Sequence, residues 1–325
     1  MDYSSSINLI LDNSTRWNSA FLSIQRGLKL KTAVNIFINE HLDALGDDRL
    51  EEEDWQQLAD VVDALEPFSY ITLRLEGNPI TGCSHGAIWE ALPALDLLLQ
   101  HVETKRETLR QQRSQRSTPP SRNRRQIPHT PDISPLEVAY QNAWEKLRKY
   151  YRKTDDNFEI YAAATLLNPC LRKTYFTERW TDDSAAYVPR MIDVNKRLWE
   201  RDYRQDTPMR PLFNSQSRLD SFLAGITQPR RQELDEFALY VEGQPAAYTD
   251  WSEYNIFEWW MQAPFPSLRQ WAFDTLSVPA MSAEVERVFS QARRTLTRDR
   301  NLLNEENLEA LQCLKHWLDH KIVAY

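Results

Sequence analysis

The chain has 325 residues, a formal charge of −8 and 42% hydrophobic residues, enough apolar material for one large core or two ordinary ones. Its 7 glycines argue against Gly-rich phosphate loops and hairpin-rich β folds. Cys83, Cys170 and Cys313 form no CxxC pair, and no apolar run approaches the roughly 18–20 residues that span a bilayer, so a soluble helical protein without a disulfide framework is expected. Charge is spread unevenly: Glu40–Glu66 holds 11 acids against Arg49 alone, whereas Lys105–Arg125 holds 8 basic residues against Glu107. An acidic body with one basic strip is not the pattern of a broad DNA-binding surface.

In chain order, the apolar run Ile7–Leu11 has the length of one short strand, and a helical pattern follows from Ser19 to about Leu45. The acids of "EEEDW" fall in the first turn of a helix carrying Trp55, Leu58, Val62 and Leu65 at spacings of three and four, with Pro67 expected to close it. "FSYITLRLEGNP" fits a strand or a continuing helix. "HGAIWEALPALDLLLQHVETKRETLRQQR" reads as a long helix that Pro93 should kink or break. The polar, basic, proline-rich stretch that follows has little to bury, and a disordered loop is expected over about 112–134. Its basic residues, taken with Lys105–Arg116, suggest nuclear localisation, with the cytoplasm as the other option.

Beyond it, "PLEVAYQNAWEKLRKYYRKTDD" places Val138, Trp144, Leu147 and Tyr151 on one helical face, and "IYAAATLLNP" is a short apolar helix stopped at Asn168–Pro169. Another helix runs near Ser184–Tyr203, and residues 205–229, broken by Pro208, Pro211 and Pro229, read as a second loop. "NIFEWWMQ" and "SLRQWAFDTLSVPA" precede a helix in "SAEVERVFSQARRTLTRDRN" with Val285, Val288, Phe289 and Ala292 at i, i+3, i+4 and i+7. Glu284 and Glu286 sit at the two margins of that stripe. In the last helix Asn304 is a candidate N-cap, with Glu305 and Glu306 in the first turn. Leu308, Leu311, Leu314, Leu318 and Ile322 form its stripe, widened by Ala310 and Trp317 to about half the circumference. An arc that wide packs on its own domain and still offers surface to a partner. Cys313, His316 and His320 project within about 60° of one another, but a structural zinc site needs a fourth ligand from a second element, so no metal is expected there.

"TRWNSAFLSIQRGLKLKTAV" and "VPAMSAEVERVFSQARRTLTRDRNLLNEENLEALQCLKHWL" resemble the hAT superfamily of DNA transposases, the fungal type above all; "CSHGAIWEALPALDLLLQHVE", "AWEKLRKYYRKTDDNFEIYAAATLLNPCLRKTYF" and "FEWW" match the same pattern between them. The resemblance implies a mainly α fold with at most a few short strands: a helical insertion domain over 1–230, then the C-terminal helices of a ribonuclease-H-like core within a dimerisation region over 231–325. It makes Glu286 the counterpart of a catalytic metal ligand and associates Arg16 and Trp17 with DNA. It assigns dimerisation to the C-terminal helices, where Val288, Phe289, Leu308, Leu311, Leu314, Trp317 and Leu318 are the candidate contacts.

Phosphodiester cleavage in this class needs two Mg²⁺ ions on a carboxylate cluster. The family's two aspartates lie well upstream of its Thr-Arg-Trp motif; here 14 residues precede that motif, with Asp2 and Asp12 their only acids. The expectation is therefore a transposase-derived homodimer without a complete catalytic site, in which Glu286 is vestigial and no cofactor is needed. Mg²⁺ enters only if the chain is part of a complete transposase that cuts and joins DNA. A helical adaptor with another protein partner is the third reading, and DNA contact and a membrane role are not favoured.

Overall fold

Helices form where apolar residues recur at three and four and where acids or Asn, Asp and Ser stand at the N-terminal end. The computed structural model describes residues 8–10, 17–46, 49–77, 86–116, 133–156, 158–180, 184–204, 235–247, 255–295, 304–319 and 323. Among these the structure is helical, with no strand; one isolated antiparallel bridge joins Ala87 to Pro279. Two compact units result: Met1–Arg74 with Pro93–Asp156, and Leu75–Leu92 with Asn157–Tyr325.

The first unit contains α1 (Trp17–Lys29), α2 (Lys31–Glu40), the short α3 (Leu42–Leu45), α4 (Glu52–Leu75), most of α5 (Ala91–Arg116) and α6 (Pro135–Asp156). Trp55 of α4 is buried and donates its indole N–H to the Asn35 Oδ1 of α2 at 3.0 Å, beside the Lys31–Glu52 ion pair. Helices α5 and α6 run antiparallel: Trp144 Nε1 donates to Glu103, Arg106 to Gln141, and Arg113 pairs with Glu137. Val102, Tyr140 and Leu147 are buried in this unit.

Five sequence expectations change here. The strand over Ile7–Leu11 is not found: Asn8–Ile10 are the described part, and they have no regular structure. Pro67 does not end α4, which continues as helix through "FSYITLRL"; burial of Ile71 on the far side of the proline works against a loss of about 3 kcal/mol. Pro93 lies in the first turn of α5, where no N–H is missed, and the break falls before it in a 3₁₀ turn at Ile88–Glu90. The expected loop over 112–134 begins later, because α5 holds through Arg116 with Arg113 tied to Glu137; residues 117–132 lie outside the described residues. On α6 the buried face is Tyr140 and Leu147, with Trp144 and Tyr151 half-buried on the same side, and Val138 is exposed because it points to the opposite side of the helix.

The second unit is built around α7 (Phe158–Leu166), with α8 (Arg172–Arg179), α9 (Ser184–Asp202), α10 (Glu236–Glu242), α11 (Ile256–Gln262), α12 (Pro266–Leu276), α13 (Ala283–Thr295) and α14 (Glu305–Asp319). A helix apolar all round belongs in an interior, and Ala162, Ala163, Ala164 and Leu166 are all buried. The alanines let the 3₁₀ turn, α8, α9 and α12 approach α7 closely. Around it lie Phe176, Trp199, Phe237, Tyr240, Trp260 and Trp271, with Phe237 and Trp271 stacked at 6.2 Å between centroids.

Candidate association surface

The segment from α10 to α12 is locked to α7 by buried polar bonds. The last carbonyls of a helix lack intrahelical partners, and here buried side chains supply them. Tyr240 Oη donates to the Leu166 carbonyl at 3.0 Å, and Trp260 Nε1 donates to the Leu167 carbonyl at 2.9 Å. Burial pushes the Tyr240 phenol up, against the opposing charge of Arg172, so it stays a donor.

Arg172 is itself buried and sits at φ +47° where the Asn168–Leu171 turn enters α8. Its Nε donates to the Pro169 carbonyl at 3.1 Å and its Nη1 to the Tyr240 carbonyl at 2.9 Å, and the guanidinium lies over the Tyr240 ring. A cation at the C-terminal end of α10 meets the negative end of the helix dipole. Gly243 leaves room for it, since a Cβ there would stand 2.5 Å from Nη1.

Caps complete the frame. Asn255 Oδ1 accepts from Phe257 N and Glu258 N at the start of α11. The Glu236 carboxylate reaches from α10 to the start of α12 and accepts from Ser267 N, Ser267 Oγ and Leu268 N. Sequence reasoning missed Arg172, Glu236 and Gly243. The proximity of a Gly to a helix end was a signal for the last, but the other two act across 68 and 31 residues of sequence.

After α12 the character changes. Helices α13 and α14 pack on each other, and Gln312 Nε2 donates to Thr295 Oγ1 at 3.3 Å. Asn304 caps α14 as expected, accepting from Asn307 N at 3.0 Å. Leu308 and Leu318 are half-buried, whereas Phe289 is 69% exposed, Leu311 44%, Leu314 47% and Trp317 45%. The side chain of Val288 lies outside the described ones. Four large apolar side chains thus stand in solvent on one helical pair.

Glu286 is exposed in the first turns of α13, its N–H donates to the Ser282 carbonyl at 3.0 Å, and its carboxylate accepts from Ser282 Oγ at 3.3 Å. A carboxylate near a helix N-terminus is favoured by the dipole whatever else it does. Among the described residues no group of three or more His, Cys, Asp or Glu is placed to hold a metal ion; Asp2, Asp12 and His320 lie outside them. Trp17 opens α1 and is exposed, and Arg16 lies outside the described residues. The basic strip divides: Lys105 pairs with Asp63 and Arg113 with Glu137, Arg106 lies over the Trp144 ring, and Arg122, Arg124 and Arg125 are outside the described residues. No helix among the described residues is long and apolar enough to cross a membrane.

Residues 236–318, from the start of α10 almost to the end of α14, match the hAT family C-terminal dimerisation region. The chain is 25% identical over 294 residues to a Talaromyces stipitatus protein described as the transcriptional regulator tpeD, covering 87% of this chain and 29% of that one. It is 21% identical over 327 residues to the zinc finger BED domain-containing protein DAYSLEEPER of Arabidopsis thaliana, covering 95% and 41%. It is 22% identical over 342 residues to a Zea mays protein described as an AC transposase, covering 98% and 38%. The chain therefore spans well under half the length of these curated relatives. Residues 236–318 thus match the hAT C-terminal dimerisation region, and most of the chain is similar to proteins described as hAT-type transposases and BED zinc finger proteins.

Proposed function

We propose that these 325 residues act as a transposase-derived homodimer, and that the surface formed by Phe289, Leu311, Leu314 and Trp317, with Leu308 and Leu318 at its edge, is where the second copy binds. The observation that carries this reading is the coincidence of two facts. The segment matches a dimerisation region, and its last two helices leave large apolar side chains in water. In this reading residues 231–325 close a ribonuclease-H-like core and the helices before them are its insertion. Light scattering on the purified chain at tens of micromolar is expected to give twice the monomer mass. A monomer at that concentration rejects the proposal.

In the same reading Glu286 is a boundary carboxylate and the chain by itself cleaves no DNA and requires no cofactor. The similarity to the AC transposase along 98% of the chain supports a second reading, in which these residues are the back part of a working, Mg²⁺-dependent recombinase. Metal-dependent nicking of transposon-end DNA, abolished by Glu286→Gln and weakened by Trp17→Ala, is the result that would establish it. The kinship with a transcriptional regulator and BED-type proteins supports a nuclear location. Replacing Arg122, Arg124 and Arg125 by alanine in a fluorescent fusion should then shift it towards the cytoplasm. A stable complex with a different protein that excludes the homodimer would favour an adaptor instead.

A further inference from the structure

Helix α4 carries Pro67 in its interior, and a proline ring pushes away the carbonyls of the turn before it. Ala64 lies in that turn, and the His101 ring of α5 hydrogen-bonds its carbonyl. One ring nitrogen is therefore committed as a donor. The other, Nε2, is buried and has no hydrogen-bond partner. The Tyr140 ring of α6 lies 6.1 Å from the imidazole, centroid to centroid, so the ring sits where the three longest helices of the first unit meet.

We propose that His101 is a proton-sensitive joint of the first unit, at which α4, α5 and α6 pack stably while the imidazole is neutral and less stably once it is protonated. A neutral imidazole with one N–H satisfies the Ala64 carbonyl and leaves only a weakly demanding acceptor at the enclosed Nε2. A second proton would place a charged N–H on Nε2, in a spot that offers no acceptor. The charged groups acting on the ring are Lys105, one turn along α5, which opposes protonation, and Asp63 of α4, which favours it. Asp63 is already paired with Lys105, and the Tyr140 phenol, which burial pushes up to about 12 with Asp63 and Asp60 adding to it, stays neutral across the relevant range. Burial lowers the imidazole below its usual value, with Lys105 adding to that and Asp63 and the bond to the Ala64 carbonyl opposing it.

The sign follows. A histidine whose folded pKa is depressed leaves the folded state holding fewer protons than the unfolded one. Its contribution to stability is complete above the unfolded value of about 6.5 and is lost as pH falls through that value towards the folded one.

The test uses the full chain. The melting midpoint of the first unit is measured at pH 7.5 and 5.0 for the native protein and for His101→Gln, whose amide N–H keeps the bond to Ala64 without titrating. The acid-induced drop should be larger by about 2–4 °C in the native protein. An equal drop in both overturns the proposal. The imidazole of His101, followed by NMR in histidine-labelled native protein and assigned by single replacement of the other histidines, should titrate below its ordinary value. Titration at or above that value overturns the proposal even if the variant fails to fold.

Discussion

Helices α12 and α14 belong to the same matched region and have comparable apolar content, yet they spend it differently. In α12, Leu268, Trp271, Ala272 and Leu276 are all buried, and Trp271 stacks on Phe237. In α14, Leu311, Leu314 and Trp317 stand about half exposed beside the still more exposed Phe289 of α13. The difference teaches that amphipathic pattern alone does not say what a helix packs against. The apolar face of α12 is consumed by α7, α10 and α11. That of α14 exceeds what α13 covers, and the excess is what a second copy can bury.

The largest effect should come from the consumed face. Trp260→Ala removes a fully buried indole and its bond to the Leu167 carbonyl, and a loss of about 3–5 kcal/mol in urea unfolding is expected. A loss below about 1 kcal/mol would mean that α11 is not part of the core. Next comes the exposed face. Leu314→Asp should weaken association by about 2–4 kcal/mol, a factor of roughly thirty or more in Kd, while the unfolding free energy of the monomer shifts by no more than about 0.5 kcal/mol. Should both quantities fall together, the surface belongs to the fold and the contrast disappears.

A third change probes the frame between them. Gly243→Ala drives a methyl group against Arg172 Nη1 and the Leu239 carbonyl, at a cost of about 1–3 kcal/mol in folding and with little change in association. Pairing it with Arg172→Ala should show a strong coupling, because the smaller side chain relieves the clash. The smallest effect is expected at Asn304→Ala, which frees one N–H at the start of α14 and should cost about 1 kcal/mol, read as a lower melting midpoint and a modestly weaker dimer.

Local signals were legible in the sequence, and cross-chain ones were not. The spans of α6, α7 and α9 and the Asn304 cap follow from short-range pattern: apolar spacing, an Asn–Pro stop, and an oxygen placed before a first turn. Pro67 misled because a local rule for helix ends competes with burial further along, at Ile71, which no window around the proline reveals. Arg116 reads as loop because no apolar residue stands near it, but α5 carries on to it, with Arg113 paired to Glu137 on α6. Arg172 could not be singled out: a lone arginine after "LLNPCL" becomes a buried latch only when Tyr240, 68 residues on, brings its carbonyl to it. The wide arc of α14 was visible as a pattern, but that Leu311, Leu314 and Trp317 stay uncovered depends on where α13 lies.

Sedimentation equilibrium on the native chain and on Leu314→Asp, over one to one hundred micromolar, tests the central claim most directly. The account predicts a dimer for the native chain and a folded monomer for the variant, each with the helical content of the other. A native chain that stays monomeric across the range, or a variant that stays dimeric with unchanged affinity, would contradict it.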